Sequence, residues 1–262
     1  MHDILDLNAF PLDRPESEEY QSLVARCQQD MATEGMFNLD NFLDAQVAQQ
    51  TADALMPLME TASFLHERRH NIYFRKSIPG LAADHPALQE FQTSNNTLCN
   101  DQLGGTAVER IYQWEPLRRF LAVVMGKPAL YPMDDPLAAF NVMRYREGQA
   151  LNWHFDRSEF TVTLLLQAPD QGGAFEYRTD LRSADDPNFD GVATLLAGDD
   201  PKMRRMTVTP GTLNVFRGVN TPHRVTPVLG DRARMIAVLT YYEHPGARFT
   251  AEEQKGFYGR TA

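Results

Sequence analysis

The feature that most restricts the fold is a change of pattern near residue 138 of the 262-residue chain. Beyond it, short β-rich runs follow one another: Ala139 to Arg146, Glu159 to Gln167, Ala174 to Tyr177, Arg205 to Thr209, Thr212 to Phe216 and Arg234 to Tyr242. Clusters such as Pro169-Asp170-Gln171-Gly172-Gly173 and Pro210-Gly211 separate them, and these residues favour turns over continued strand. Short strands at such spacing predict a sandwich or jelly roll. The Asp- and Gly-rich stretch Ser183 to Asp200 has no strand period and reads as an insertion, with a short helix around Val192 to Leu196.

Before residue 138 the pattern is mainly helical. Tyr20, Leu23, Val24, Cys27 and Met31 recur at the helical period behind the acidic start Pro15-Glu16-Ser17-Glu18-Glu19, and Gly35 ends the run. Asp40 and Asp44 offer caps for a second helix carrying Val47, Ala54, Leu55, Leu58 and Met59, with Pro57 as a point of kinking. Pro116 to Met125 makes a third, with Leu117, Leu121, Val124 and Met125 inward. The segment His70-Asn71-Ile72-Tyr73-Phe74-Arg75 reads as extended, and His66 and His70 as residues of a solvated helix end. His85, before Pro86, reads as a turn residue.

Composition narrows the partners. With 35 acidic residues against 25 basic and a net charge of −10, the chain is not expected to bind nucleic acid or an anionic membrane surface. No apolar run approaches the ~20 residues that cross a bilayer, and the opening stretch MHDILDLNAFPLDRPES lacks the marks of a signal peptide, so a cytoplasmic location is expected. The two cysteines, Cys27 and Cys99, are far apart and read as reduced packing thiols.

The chemistry centres on Leu151-Asn152-Trp153-His154-Phe155-Asp156. In an extended chain residues i and i+2 point to one side, so His154 and Asp156 present an imidazole and a carboxylate together. The best third partner is His223, in Thr221-Pro222-His223-Arg224-Val225-Thr226-Pro227-Val228. Two histidines and one carboxylate on one face form the facial triad of non-haem iron(II) oxygenases. A His-x-Asp pair alone also suits a hydrogen-bonded structural histidine at a strand end. Order favours the metal: His154 ends one predicted strand, His223 precedes another, and the Gly-Gly and Pro-Gly turns fall between them.

Taken together, the stretch from about Asn141 to Tyr242 resembles the double-stranded β-helix core of the 2-oxoglutarate- and iron(II)-dependent dioxygenases. His154-x-Asp156, Gly172-Gly173-x-Phe175, Thr209-Pro210-Gly211-Thr212-Leu213-x-x-Phe216 and His223-Arg224-Val225-x-Pro227-Val228 stand in that family's order. Asn71-Ile72-Tyr73-Phe74, Asp84-His85-Pro86, Asp135-Pro136-Leu137, Trp153-His154-Phe155-Asp156, Leu181-Arg182-Ser183 and Tyr241-Tyr242-Glu243-His244-Pro245-Gly246 are similar to the branch of free-amino-acid hydroxylases and halogenases, lysine halogenases among them.

The resemblance implies an α+β chain of one domain over residues 1–262. Residues 1–137 would be a mainly helical support, 138–246 a jelly-roll (cupin-like) catalytic core and 247–262 a C-terminal tail. It implies iron(II) on His154, Asp156 and His223, with 2-oxoglutarate and O2 as co-substrates. A basic residue past the distal histidine grips the far carboxylate of 2-oxoglutarate; Arg232 and Arg234 both qualify, and Arg234 is preferred because it starts the apolar strand. The family's common Arg-x-Ser is absent. Arg224, Arg232 and Arg234 together suggest a basic pocket in an acidic shell.

Halogenases of this branch replace the metal-binding Asp by a small residue. The presence of Asp156 therefore implies hydroxylation of an unactivated C–H bond of a small, amino-acid-like substrate, with release of succinate and CO2. Thr240, Arg75, Asn152 and Arg157 are substrate candidates, each with a bland alternative: a packed strand residue, a solvated strand end, or a turn cap. Arg157 also replaces the acid expected in lysine-acting relatives. Two other functions fit the same residues: hydroxylation of a peptide or protein side chain in the manner of prolyl hydroxylases, and metal or small-acid binding without turnover.

Overall fold

Ser17 and Gly35 bound the first helix, Glu18–Glu34. The Ser17 hydroxyl accepts from the Tyr20 N–H, and Gly35, at φ 74°, closes the helix by donating its N–H to the Met31 carbonyl. In this computed structural model, which describes residues 1–262, the second helix spans Ala45–Thr61 with Pro57 inside it. Asp44, not Asp40, caps it: the Asp44 carboxylate accepts from the Gln46 and Val47 N–H groups. The third predicted helix is Glu115–Val124, and a further helix, Ala107–Gln113, precedes it. The insertion carries helix Phe189–Ala197.

The strands form a jelly roll of two main sheets. The seven-stranded sheet has the spatial order Met36–Leu39, Leu213–Phe216, Thr161–Gln167, Arg234–Leu239, Phe140–Tyr145, Phe91–Leu98, Phe64–His70, and all its pairs are antiparallel. The four-stranded sheet has the order Arg204–Met206, Phe175–Tyr177, His223–Val225, Leu151–His154. The predicted core strands thus appear in place, most of them shortened at their ends, with the Arg205 to Thr209 run shifted to Arg204–Met206 and the last run broken after Leu239 and resumed as Tyr241–Tyr242.

Alternation along the larger sheet separates two environments. Val162, Leu164, Leu166, Val142, Ala237 and Leu239 share one hydrophobic core with Leu23, Cys27, Leu55 and Met59 of the two long helices. Their neighbours Thr163, Asn214, Asn141, Ile236 and Arg234 face the space between the sheets. A strand places successive side chains on opposite faces, so one face buries hydrocarbon against helices while the other lines a cavity.

The first 137 residues hold the expected helices but are more than helical support. Met36–Leu39, Phe64–His70 and Phe91–Leu98 all join the larger sheet. The last two escape sequence patterning for different reasons. Phe64–His70 is an edge strand whose Glu67, Arg68 and Arg69 are exposed, the usual protection of an edge. Phe91–Leu98 has polar residues inward, because Thr93, Asn95 and Thr97 line the cavity. His66 and His70 therefore lie on a strand, not at a helix end. The segment expected to extend from His70 to Arg75 turns instead after His70, with Phe74 at φ 54°.

Residues 247–262 are more than a tail. Thr250 and Glu253 form a capping box at the start of helix Ala251–Tyr258, whose Gln254 donates to buried Asp135 and whose Tyr258 hydroxyl donates to Asn141 Oδ1. Cys27 and Cys99 are buried and unbonded, and no helix is long and apolar enough to cross a membrane. The Gly-Gly turn is built on backbone that only glycine adopts freely: Gly172 has φ 70°, and a Cβ there would collide with the Pro227 carbonyl.

Candidate metal centre and its cavity

His154 and His223 face each other directly across the antiparallel pair formed by Leu151–His154 and His223–Val225. Cross-strand partners project to the same side, which brings their ring centroids to 4.1 Å. Asp156 follows the strand end by two residues, its N–H held by the Gly218 carbonyl at 3.0 Å. Its Oδ1 lies 3.3 Å from His154 Nε2 and its Oδ2 3.6 Å from His223 Nε2. One donor atom from each of the three residues lies within 4.8 Å of the others.

Secondary contacts fix how these groups point. His154 Nδ1 lies 2.8 Å from the Asn152 carbonyl and His223 Nδ1 lies 3.0 Å from the Thr221 carbonyl. A carbonyl only accepts, so both rings carry their proton on Nδ1 and turn an Nε2 lone pair toward Asp156. Thr161 donates its hydroxyl to Asp156 Oδ2 at 2.5 Å. Gly218 backs the carboxylate; a side chain there would collide with it.

Burial pushes the His223 pKa down to about 4, leaving the imidazole neutral at pH 7. Burial pushes Asp156 upward, but the neighbouring histidines and the Thr161 hydrogen bond outweigh it and hold the carboxyl well below its usual range. Two imidazole nitrogens and one carboxylate form a donor set that could hold iron(II) facially with positions left open.

The centre opens into a cavity of about 1440 Å³ between the sheets. Its walls come from strand residues, from the 72–79 and 182–189 segments, and from Phe249, Phe257 and Tyr258 of the C-terminal segment. The helices Glu18–Glu34 and Ala45–Thr61 do not reach it, so they buttress the sheet rather than shape access.

Arg234 is buried in the cavity wall, and its Nη1 has no hydrogen-bond partner. Burial lowers its pKa to about 10, so the guanidinium stays charged at neutral pH. Gly173 packs against its Cδ, where a Cβ would crowd it at 3.1 Å. A buried cation with an unused donor fits an anionic ligand such as the carboxylate of 2-oxoglutarate. Arg232 does not share this position. It is exposed outside the cavity, where its Nη2 donates to Gln49 and its backbone N–H to Asp170. The two arginines are separated by Ala233, yet only Arg234 belongs to the regular strand.

The substrate candidates divide. Thr240 and Arg75 line the cavity. Arg157 does too, but its Nη1 is paired with Glu253 at 2.6 Å, which ties it to the C-terminal helix. Asn152 does not line the cavity: its side chain donates to the Gln92 carbonyl and its backbone N–H to Thr93 Oγ1, joining the two sheets. Arg224 is also spoken for, paired with buried Glu176 at 2.6 Å over the Trp153 ring.

Two residues beside the centre carried no functional reading in the sequence. His70 is buried, stacked on Phe74 at 4.5 Å, with Nδ1 near the Asn71 carbonyl and Nε2 2.8 Å from Thr93 Oγ1. Both nitrogens are engaged, so it braces the His154 side of the site rather than adding a ligand. Arg182 lies 3.8 Å over the Phe155 ring and donates Nε to the Val219 carbonyl. The only signal for it was its place in the Leu-Arg-Ser motif.

A family model described as Halogenase D matches residues 19–255. No curated protein matches the chain. Among solved structures, AviO1 from Streptomyces viridochromogenes Tue57 superposes with a TM-score of 0.56 at 16% identity, over 85% of this chain and 96% of that one. A Pseudomonas putida prolyl-4-hydroxylase gives 0.52 at 16% identity, over 83% and 98%. The non-haem α-ketoglutarate-dependent epimerase SnoN from nogalamycin biosynthesis gives 0.54 at 14% identity, over 84% and 83%. At such identities the likeness establishes the shared jelly-roll fold.

Proposed function

The chain belongs to the Halogenase D family of 2-oxoglutarate- and iron(II)-dependent oxygenases, and from that premise we propose that it hydroxylates an unactivated C–H bond of a free amino acid or a close derivative. In this reading His154, Asp156 and His223 hold the iron, and Arg234 pairs with the distal carboxylate of 2-oxoglutarate. When bound, iron and keto acid together activate O2, with release of succinate and CO2. The observation that carries the reading is the pairing of a two-histidine, one-carboxylate face with a buried, unpartnered arginine in one cavity.

The protein's own contribution is positional. The Asn152 and Thr221 carbonyls hold the imidazoles in the tautomer that offers Nε2, and Thr161 keeps the Asp156 carboxylate turned inward. Arg234 orients the keto acid from the opposite end, and the apolar walls, Phe155 and Phe216 among them, keep bulk water from the reacting centre. With iron bound, Asp156 would be a ligand where a halide would otherwise have to bind, which favours oxygen insertion over halogenation. Arg75 is the candidate for the substrate carboxylate, and Thr240 for a polar contact near the reacting carbon.

The test is a mass-spectrometric screen of free amino acids and simple derivatives with purified protein, iron(II) and 2-oxoglutarate. A gain of one oxygen coupled to succinate is expected, without dependence on chloride. Succinate formation that survives His154→Ala or Asp156→Ala overturns the assignment of the centre. Oxygen gain confined to peptides favours the prolyl-hydroxylase-like reading, and chloride incorporation by the unaltered protein overturns the argument from Asp156.

A further inference from the structure

We propose that the substrate is a small dicarboxylate, an acidic amino acid or an acylated one, and that Arg182 receives one of its carboxylates. This rests on the hydroxylase reading above and specifies its substrate.

The charges that face the cavity are unbalanced. Its only acidic side chains are Asp156, assigned to the metal, and Glu159, which is 2.6 Å from Lys127 Nζ. Its arginines are Arg68, Arg75, Arg157, Arg182 and Arg234. Arg157 is neutralised by Glu253. Arg234 is assigned to 2-oxoglutarate. The loaded centre is then neutral: the two positive charges of iron(II) and the one of Arg234 balance Asp156 and the two carboxylates of the keto acid. Arg68, Arg75 and Arg182 remain, and none of them has a carboxylate within ion-pair distance among the protein's own pairs. A zwitterionic amino acid with a neutral side chain leaves this excess uncompensated. One with a cationic side chain adds to it and finds no acid to meet its ammonium.

Arg182 is the most fixed of the three. Its guanidinium carbon lies 3.8 Å above the Phe155 ring, a stacking that suits a planar cation. Nε is used by the Val219 carbonyl at 2.7 Å. Both Nη groups therefore remain, in one plane, for a carboxylate to take in bidentate fashion. The two anchors are neighbours of the metal face: Phe155 stands between His154 and Asp156, and Val219 follows Gly218, whose carbonyl holds the Asp156 N–H. Arg182 is thus tied to both backbone segments that define the centre, whereas Arg68 and Arg75 are exposed at the cavity rim.

The experiment is calorimetric titration of aspartate, glutamate, 2-aminoadipate, their N-acetyl forms, glutamine and lysine into protein saturated with manganese(II) and 2-oxoglutarate. Parallel turnover assays use iron(II). At least one dicarboxylate is expected to bind about 10- to 100-fold tighter than glutamine or lysine, the range of a lost charge-assisted contact. Arg182→Gln should erase that preference by lowering dicarboxylate affinity relative to glutamine, and Arg182→Lys should restore it only in part.

Lysine or glutamine binding as tightly as every dicarboxylate overturns the proposal, as does an Arg182→Gln variant that keeps the preference. Selective, Arg182-dependent dicarboxylate binding without any oxygenated product supports the proposal and overturns the hydroxylase reading, so the two failures are separable.

Discussion

Replacing Arg234 by methionine separates a structural arginine from a ligand-binding one. Arg234 is 3% exposed, lacks a partner at Nη1, and has only the Tyr145 ring, 6.0 Å away, as a cation–π neighbour. A buried cation without a counter-charge is costly, and an apolar residue of similar reach often does no harm or stabilises. The ligand-free Arg234→Met variant is therefore expected to melt no lower than the parent.

With 2-oxoglutarate the sign reverses. Two charge-assisted hydrogen bonds of about 1.5–3 kcal/mol each amount to roughly 3–6 kcal/mol, or about 10²- to 10⁴-fold in affinity. At about one hundred times its Kd a ligand adds about 2.7 kcal/mol of stability, which in a domain of this size raises Tm by about 5–10 °C. Thermal melting with manganese(II) and graded 2-oxoglutarate should show that rise in the parent and lose it in Arg234→Met at equal concentration. The exposed Arg232→Met should keep it. A variant at 234 that retains the rise, or one at 232 that loses it, refutes the assignment.

Gly172→Ala, at φ 70° with the Pro227 carbonyl in the path of the new Cβ, should lower stability by about 2 kcal/mol or more in a urea melt, whereas Gly198→Ala, strained but facing open space, should cost less. Asn152→Ala removes the hydrogen bond to the Gln92 carbonyl and should cost about 1 kcal/mol of stability while leaving substrate KM unchanged; a raised KM would return Asn152 to the substrate site. In metal-free protein, His223 protonates near pH 4 when folded but near its ordinary 6.5 when unfolded. The unfolded chain therefore holds the extra proton between those values, so stability should fall as pH drops from about 6.5 to 4, with His70, also lowered by burial, acting in the same direction. A urea midpoint flat across that window would contradict the burial of these imidazoles.

The legible part of the molecule is the part whose pattern follows from a single packing surface. The strands Phe140–Tyr145, Thr161–Gln167, Leu213–Phe216 and Arg234–Leu239 bury hydrocarbon on one side, and their turns demand Gly and Pro, so their existence could be read. Cys27 and its helical stripe were legible for the same reason. Phe91–Leu98 was not, because its inward face meets a cavity and carries Thr93, Asn95 and Thr97 where a core strand would carry valine or leucine. Phe64–His70 was not, because an edge strand is selected for charge as much as for β-propensity. Arg232 and Arg234 were inseparable as residues; what distinguishes them is that the chain enters the strand between them. The C-terminal helix was missed as a wall of the cavity because its role depends on Gln254 meeting Asp135 and Tyr258 meeting Asn141, contacts between segments far apart in sequence.

Membership of a family described by halogenation and a carboxylate among the three candidate metal ligands point to different products, and the packing around Asp156 is what supports the proposed hydroxylation. Its N–H is held by the Gly218 carbonyl, one oxygen accepts from Thr161, and the other approaches His154 Nε2. Gly218 has no side chain where a side chain would strike the carboxylate. The surroundings are therefore shaped to a carboxylate of this length, held by the Gly218 and Thr161 hydrogen bonds, and not to a gap beside a shorter residue. A halide arriving at the same face would have to displace the carboxylate from this seat. Sequence alone could report that Asp156 is present; its contacts supply the reason that its presence excludes a second anion from the place it occupies, and so the reason that oxygen is the atom expected in the product.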